Sequence, residues 1–73
     1  MLEDMMQRAD NAHKNLIEVL TEYGAGEYAP QVADLYIFSG AVKLDANMGR
    51  YTFKHGAFLD SEVINNAIDA VKK

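Results

Sequence analysis

The sequence predicts an α+β domain with a long N-terminal helix, a short second helix, one antiparallel β-hairpin and a C-terminal helix. Apolar residues over the first third recur at alternating spacings of three and four, which is the period of a helix. Residues 42–45 and 50–53 alternate apolar and polar side chains, which is the period of a strand. Helical spacing returns after Asp60. The 73 residues, 1–73, are expected to form a single small domain.

The first helix is predicted over residues 2–23, with Gly24 as the residue that ends it. Ile17 lies outside the main apolar stripe, on an otherwise polar side, and this predicts a second contact surface flanked by Lys14 and Thr21. The stripe itself occupies the a and d positions of successive heptads and consists of Leu2, Met5, Ala9, Ala12, Leu16, Val19 and Tyr23.

A second helix is predicted from Pro30 to about Ser39, after a loop at residues 24–29. Proline suits the first helical turn, because the N–H that it lacks would have no partner there. Gly40 is placed to close the helix. The segment between is apolar nearly all round, and residues 36–38 also favour β structure, so a central strand remains an alternative.

The hairpin is predicted to turn at residues 46–49. Folding the two strands around this loop gives one apolar and one polar face, as a half-buried antiparallel pair requires. A competing prediction continues the second helix to Asn47, with Gly49 as its cap, and gives a three-helix bundle. The expected pairs are Val42–Phe53 and Leu44–Tyr51 on the inner face, and Lys43–Thr52 and Asp45–Arg50 on the outer face.

The last helix is predicted to begin at Asp60, a residue type that favours the N-cap position. Lys72 and Lys73 fall in its last turn, where positive charge suits the helix dipole. Its expected buried face consists of Val63, Ile64, Ala67, Ile68 and Val71.

Composition narrows the classes of function. The chain has no cysteine, which excludes disulfides and thiolate zinc sites. The core of such a small domain rarely contributes more than about 3–5 kcal/mol to the free energy of unfolding without a disulfide or a bound metal. This favours association with a partner as a source of further stability. The net charge of −4 disfavours nucleic acid and anionic membranes as partners. Acidic residues near the N-terminus stand where a secretory signal carries bases, and the absence of cysteine fits a cytoplasmic location.

We find no motif that predicts catalysis, a cofactor or a metal site. His13 borders the apolar stripe of a helix and His55 ends a strand, and both are expected to be ordinary structural residues. The segment from Asp45 to Gly49 begins like a calcium loop, but it has glycine at the third acidic position and no glutamate at the twelfth. The chain is therefore not expected to be an enzyme.

Charge is unevenly distributed along the chain. Residues 1–34 carry seven acids and two bases, net −5, whereas residues 35–73 carry four acids and five bases, net +1. The acidic helix of one copy is therefore expected to meet the basic hairpin of another copy, or of a partner. The predicted function is a non-enzymatic association module, self-assembling or docking as a small subunit of a larger complex such as a viral particle. The candidate interaction residues are Lys43, Arg50, Thr52, Lys54, Asp10, Ile17 and Glu18.

Two other classes of function are weighed against this one. An acidic helix can imitate a phosphate track, which predicts a small inhibitor of a host or nucleic-acid-handling protein; the acidic and amide side chains for it are Asp4, Asp10, Asn11, Glu18 and Glu22. Direct binding of a nucleic acid strand by the hairpin ranks last, because Tyr51 is assigned to the core and the whole chain is acidic.

Overall fold

A computed structural model of the chain describes the backbone from Leu2 to Lys73 and the side chains from Asp10 onward. The predicted α+β order is confirmed, and the three-helix bundle is wrong because residues 42–53 form a hairpin. The predicted stripe positions Leu2, Met5 and Ala9 lie outside the described side chains. The main elements are α1 (Leu2–Leu20), α2 (Ala29–Ser39), β1 (Val42–Asp45), β2 (Arg50–Phe53) and α3 (Ser61–Lys72).

α1 ends earlier than predicted, at Leu20, and a wider helical turn follows over Thr21–Ala25. Gly24 in this turn has φ 108° and ψ 4°, a conformation that residues with a Cβ rarely adopt. The chain then reverses through a short 3₁₀ turn, Gly26–Tyr28, and α2 packs beside α1. Gly24 was therefore correctly identified as the break between the helices, although regular α-helix stops before it.

The buried face of α1 is rotated relative to the predicted stripe. Leu16 and Leu20 are buried, whereas Tyr23 is about half exposed. Ile17 is half-buried and packs against the core, so its expected position on a free polar side is wrong. The hydroxyl of Thr21, one turn further on, donates a hydrogen bond to the Ile17 carbonyl at 2.7 Å. Both Leu20 and Ile17 therefore belong to the side of α1 that faces the core, against which α2 and β2 pack.

α2 covers the predicted range and ends in a Schellman motif. The Gly40 N–H donates to the Ile37 carbonyl at 3.3 Å, and the Ala41 N–H donates to the Tyr36 carbonyl at 3.0 Å. The motif requires a left-handed residue after the helix, and Gly40 supplies it with φ 80°. The chain consequently passes from α2 into β1 within two residues.

The hairpin has the predicted register, and its loop is organised by Asp45. The Gly49 N–H donates to the Asp45 carbonyl at 2.8 Å. The Asp45 Oδ1 accepts hydrogen bonds from the N–H groups of Asn47, at 2.9 Å, and Met48, at 3.2 Å. Four pairs face each other across the strands: Val42–Phe53, Lys43–Thr52, Leu44–Tyr51 and Asp45–Arg50.

The inner face of the hairpin is buried only in part. Val42 is buried, and Tyr51 and Phe53 are half-buried against the core, as predicted. Leu44 was also expected to point into the core, but its side chain is 42% exposed. The reason is that β2, rather than β1, packs most extensively along α1, so the loop end of β1 extends beyond the core.

α3 closes the fold by packing on α2 and on the Thr21–Ala25 turn. Its predicted buried face is confirmed: Ile64 and Ala67 are buried and the other members are half-buried. Asp60 precedes the helix as predicted, but its side chain forms no capping hydrogen bond. The first helical bond instead joins the Ile64 N–H to the Asp60 carbonyl at 3.0 Å.

Tyr36 lies where α2, β2 and the turn before α3 meet. Its ring packs edge-on against Phe53, at 6.1 Å between centroids, and against Phe58, at 5.7 Å. Its hydroxyl donates to the Phe58 carbonyl at 2.8 Å. Edge-to-face aromatic packing of this kind contributes about 0.5–1.5 kcal/mol per pair beyond the burial of area, so Tyr36 connects the hairpin to the helices.

Candidate interaction surfaces

The outer face of the hairpin carries the predicted basic candidates. Lys43 and Arg50 are exposed, and Thr52 is half-buried with its hydroxyl donating to the Lys43 carbonyl at 3.3 Å. Arg50 lies opposite Asp45 in the register. A shallow depression open to solvent is lined by Lys43, Leu44, Asp45, Ala46 and Thr52. The structure therefore brings three of the four hairpin candidates onto one accessible face.

Lys54 belongs to a different environment. Its backbone N–H donates to the Ala41 carbonyl at 3.0 Å, which extends the ladder by one residue beyond the strands. Its ammonium nitrogen lies 3.7 Å from the place that a Cβ on Gly40 would occupy. The charge therefore lies near the C-terminal end of α2, where a cation is favoured by the helix dipole.

The acidic candidates on α1 are exposed but do not form a continuous track. Asp10 and Glu18 are both at the surface, and Lys14 stands midway between them. Residues four apart in a helix lie on the same side, so a positive charge separates the two carboxylates. Glu22 is also exposed, one turn beyond Glu18.

A side-chain hydrogen bond that the sequence did not predict joins α1 to α2. The Nε2 atom of His13 lies 2.9 Å from Oδ1 of Asp34. His13 was correctly expected at the edge of the apolar stripe, but the two residues are 21 positions apart and no local pattern connects them. Since both side chains are substantially exposed, the pair contributes at most about 1 kcal/mol.

Phe38 is the most exposed large apolar side chain among the described residues, at 95%. It lies in the last turn of α2, four residues after Asp34, so both side chains lie on the outer side of that helix. The sequence did contain a signal: α2 is apolar nearly all round, and a small domain cannot cover every side of such a helix. Three further large apolar residues are exposed: Tyr23 (49%), Leu44 (42%) and Met48 (56%).

The described residues show no metal cluster and no membrane-spanning helix. Among the side chains from Asp10 onward, no three His, Cys, Asp or Glu residues gather where they could hold a metal ion. No helix within the described part of the chain combines the length and apolar character needed to cross a membrane. The ring of His55 lies against Phe58, with 6.2 Å between centroids, which is an ordinary packing contact.

Comparisons with protein-family models, with curated proteins and with solved structures find no match. The function is therefore inferred from the surfaces described above.

Proposed function

We propose that the chain is a non-enzymatic protein-association module, which assembles with itself or docks as a small subunit of a larger complex such as a viral particle. The exposure of Phe38 is the observation that carries this proposal. Burying a phenylalanine side chain stabilises a protein by roughly 1.5–3 kcal/mol, and this fold leaves that contribution unused. A protein partner that covers the outer side of α2 would bury the Phe38 side chain, and the complex would be stabilised by that amount.

The remaining surface supports a protein partner. Tyrosine, phenylalanine and methionine are enriched at protein interfaces, and Tyr23 and Met48 are exposed together with Phe38. Opposite charges also lie on separate elements, with Asp10 and Glu18 on α1 and Lys43 on the hairpin. Such an arrangement fixes the orientation of an encounter more than it adds affinity.

We also propose where the chain acts and which ligands it does without. The chain would act in the cytoplasm or within a viral particle, without a cofactor and without catalysis of its own. Its partner would be a protein rather than a membrane or a nucleic acid, because a net charge of −4 repels both phosphate surfaces.

The test is the molar mass of the protein, measured by light scattering over a hundredfold range of concentration. We expect the mass of the wild type to rise with concentration, and Phe38→Ser to shift this rise to about tenfold higher concentration. Gln31→Ser is the matched control, because Gln31 is a polar exposed residue of the same helix.

Thermal unfolding of the same variants separates association from folding. Phe38→Ser should unfold near the temperature of the wild-type monomer, since its side chain makes little contact with the core. An unchanged association curve combined with a lower unfolding temperature would assign Phe38 to folding alone and remove the basis of the proposal.

A small acidic inhibitor of a host or nucleic-acid-handling protein is the second candidate. Its support is the exposed carboxylates of Asp10, Glu18 and Glu22 on α1, while Asp4 lies outside the described side chains. Lys14 interrupts this track and weakens the resemblance to a phosphate backbone. The test is competition with duplex DNA for a basic DNA-binding protein, in which the paired change Asp10→Asn and Glu18→Gln should lower the competition.

A further inference from the structure

The β-hairpin has two outer edges, and neither has a further strand beside it among the described residues. The inner-face residues of β2, Tyr51 and Phe53, are half-buried against the core, whereas Leu44 of β1 is exposed. The edge of β1 is therefore the more accessible of the two unpaired edges in the described part of the chain. An unpaired edge presents N–H and C=O groups in a row that can pair with a strand of another molecule.

The hydrogen bonding of the hairpin identifies which groups point to that edge. The Lys54 N–H donates to the Ala41 carbonyl, so this pair is a hydrogen-bonded pair of the ladder. Opposed residues of antiparallel strands alternate between bonded and non-bonded pairs. Every second residue after Ala41 therefore belongs to a bonded pair, so Lys43 and Asp45 are the residues of β1 that bond to β2.

The intervening residues, Val42 and Leu44, direct their backbone groups away from β2. Val42 is buried at the base of the hairpin, whereas Leu44 is 42% exposed. The N–H and C=O of Leu44 are thus the accessible centre of the free edge.

We infer that this edge pairs with β1 of a second copy of the chain, so that two hairpins form one four-stranded antiparallel sheet across a twofold axis. The inference rests on the proposed association function and gives it a second contact surface, in addition to the outer side of α2 around Phe38. With Leu44 facing Leu44 of the second copy, each N–H donates to the other's carbonyl. The same register places Lys43 opposite Asp45 of the second copy, and Asp45 opposite Lys43.

A neighbouring register, shifted along the strand, would also use the outward-directed backbone groups of Val42 and Leu44. The charges favour the register centred on Leu44 over that one. Centring the pair on Lys43 would place two lysines directly opposite, and like charges in that position are destabilising. Centring it on Leu44 gives two opposite-charge pairs on the outer face and joins two exposed leucines on the inner face.

The assembly closes at two copies through this surface. The contact is isologous, since the same strand is used by both molecules, and it leaves no second free β1 edge. The far edge of each sheet is β2, whose outward-directed residues Tyr51 and Phe53 are half-buried against the core. A dimer, rather than an open filament, is therefore the expected product.

Leu44→Pro tests the backbone bonds. Proline removes the N–H that points to the free edge, while the bonds between β1 and β2 use other residues and are retained. Leu44→Val is the control, because it keeps the N–H and a residue that favours strands. In sedimentation velocity we expect dimers for the wild type and Leu44→Val, and monomers for Leu44→Pro whose circular dichroism matches that of the wild type.

Charge reversal tests the register. Lys43→Glu places two carboxylates opposite each other and should raise the dissociation constant about tenfold. Lys73→Glu, with the same change of net charge at the other end of the chain, should have no effect. Asp45→Lys should also dissociate, and mixing it with Lys43→Glu should restore dimers, because the two variants are complementary. Damage to the loop by loss of the Asp45 carboxylate could not produce that recovery.

Two results would overturn the inference, and they differ in what they mean for the proposed function. A wild-type dimer that Leu44→Pro leaves intact would place self-association on another surface, with Phe38 the first to examine. A wild type that remains monomeric to about 1 mM would exclude both this edge pairing and the self-assembling form of the proposed function.

Discussion

At the scale of single residues, Tyr36 has the most specific surroundings. The side chain is buried, its ring contacts two phenylalanines, and its hydroxyl donates to the Phe58 carbonyl. Burial removes water that would stabilise the phenolate, and it raises the pKa of Tyr36 above its usual value of 10.0. The ionised side chain would also have no proton to donate to Phe58.

This pKa predicts a loss of stability in alkali. Because the folded state holds the Tyr36 proton more tightly than the unfolded state, its contribution is complete below pH 10.0 and is lost as the pH rises above that value. We expect Tyr36→Phe to lack this part of the decline, and to be less stable by about 1 kcal/mol at neutral pH through the lost hydrogen bond.

Urea unfolding at neutral and alkaline pH measures both effects. Tyr23→Phe is the control, because Tyr23 is exposed and should behave as the wild type. Equal alkaline declines in the wild type and in Tyr36→Phe would show that Tyr36 does not cause the loss.

The burial of individual residues was the least predictable feature from sequence. Alternation correctly placed Leu44 on the inner face, and periodicity placed Ile17 outside the stripe of α1. Whether a side chain on a given face is covered depends on which element packs there. Leu44 stays 42% exposed and Ile17 packs against the core, and neither outcome is contained in the local pattern.

At the scale of elements, the end of α2 depends on Gly40. Its φ of 80° is unfavourable for a residue with a Cβ, so Gly40→Ala is expected to lower the free energy of unfolding by about 1–2 kcal/mol. Gly56→Ala is the matched control, because Gly56 is not among the positive-φ glycines and its Cβ would meet no neighbour. That variant should be neutral or more stable by up to about 1 kcal/mol.

Chemical denaturation of the two alanine variants provides the comparison. Equal effects at Gly40 and Gly56 would mean that the left-handed turn into β1 has no special importance for stability.

Elements with a strong local pattern were predicted well. Strict alternation fixed the register of the hairpin, because a slip by one residue would move every side chain to the opposite face. The choice between helix and strand for α2 stayed open, since its segment is apolar on nearly every side. The Schellman motif at Gly40 and the packing of α2 along α1 decide for the helix.

At the scale of the whole molecule, net charge sets the response to nucleic acid. With a net charge of −4, duplex and single-stranded DNA are expected to bind more weakly than about 10 μM at physiological salt. Fluorescence anisotropy of labelled oligonucleotides measures this, with Lys43→Glu as a control that should change nothing. Nanomolar affinity that falls steeply with salt would contradict the prediction and move the working surface to a nucleic acid interface.

The candidate surfaces were predictable only in their charge. The sequence indicated a basic hairpin and an acidic α1, and the exposed positions of Lys43, Arg50, Asp10 and Glu18 agree with that. The apolar character of α2 indicated that some side of this helix would stay uncovered, but it did not single out Phe38, and nothing indicated the free edge of β1. Both arise from what the rest of the fold leaves uncovered, and such a property belongs to the assembled chain rather than to any one segment.

The position of Tyr36 also determines which spectroscopic signal reports on the tertiary packing of this protein. The chain has no tryptophan and four tyrosines, and Tyr36 is the buried one. A tyrosine ring packed in an asymmetric setting gives near-ultraviolet circular dichroism, which is lost when specific tertiary packing is lost. The half-buried Tyr28 and Tyr51 add to this signal. Tyr36 is therefore a natural spectroscopic probe at the junction of the hairpin with the helices. Separation of the hairpin from the helices can be followed by near-ultraviolet circular dichroism without any label.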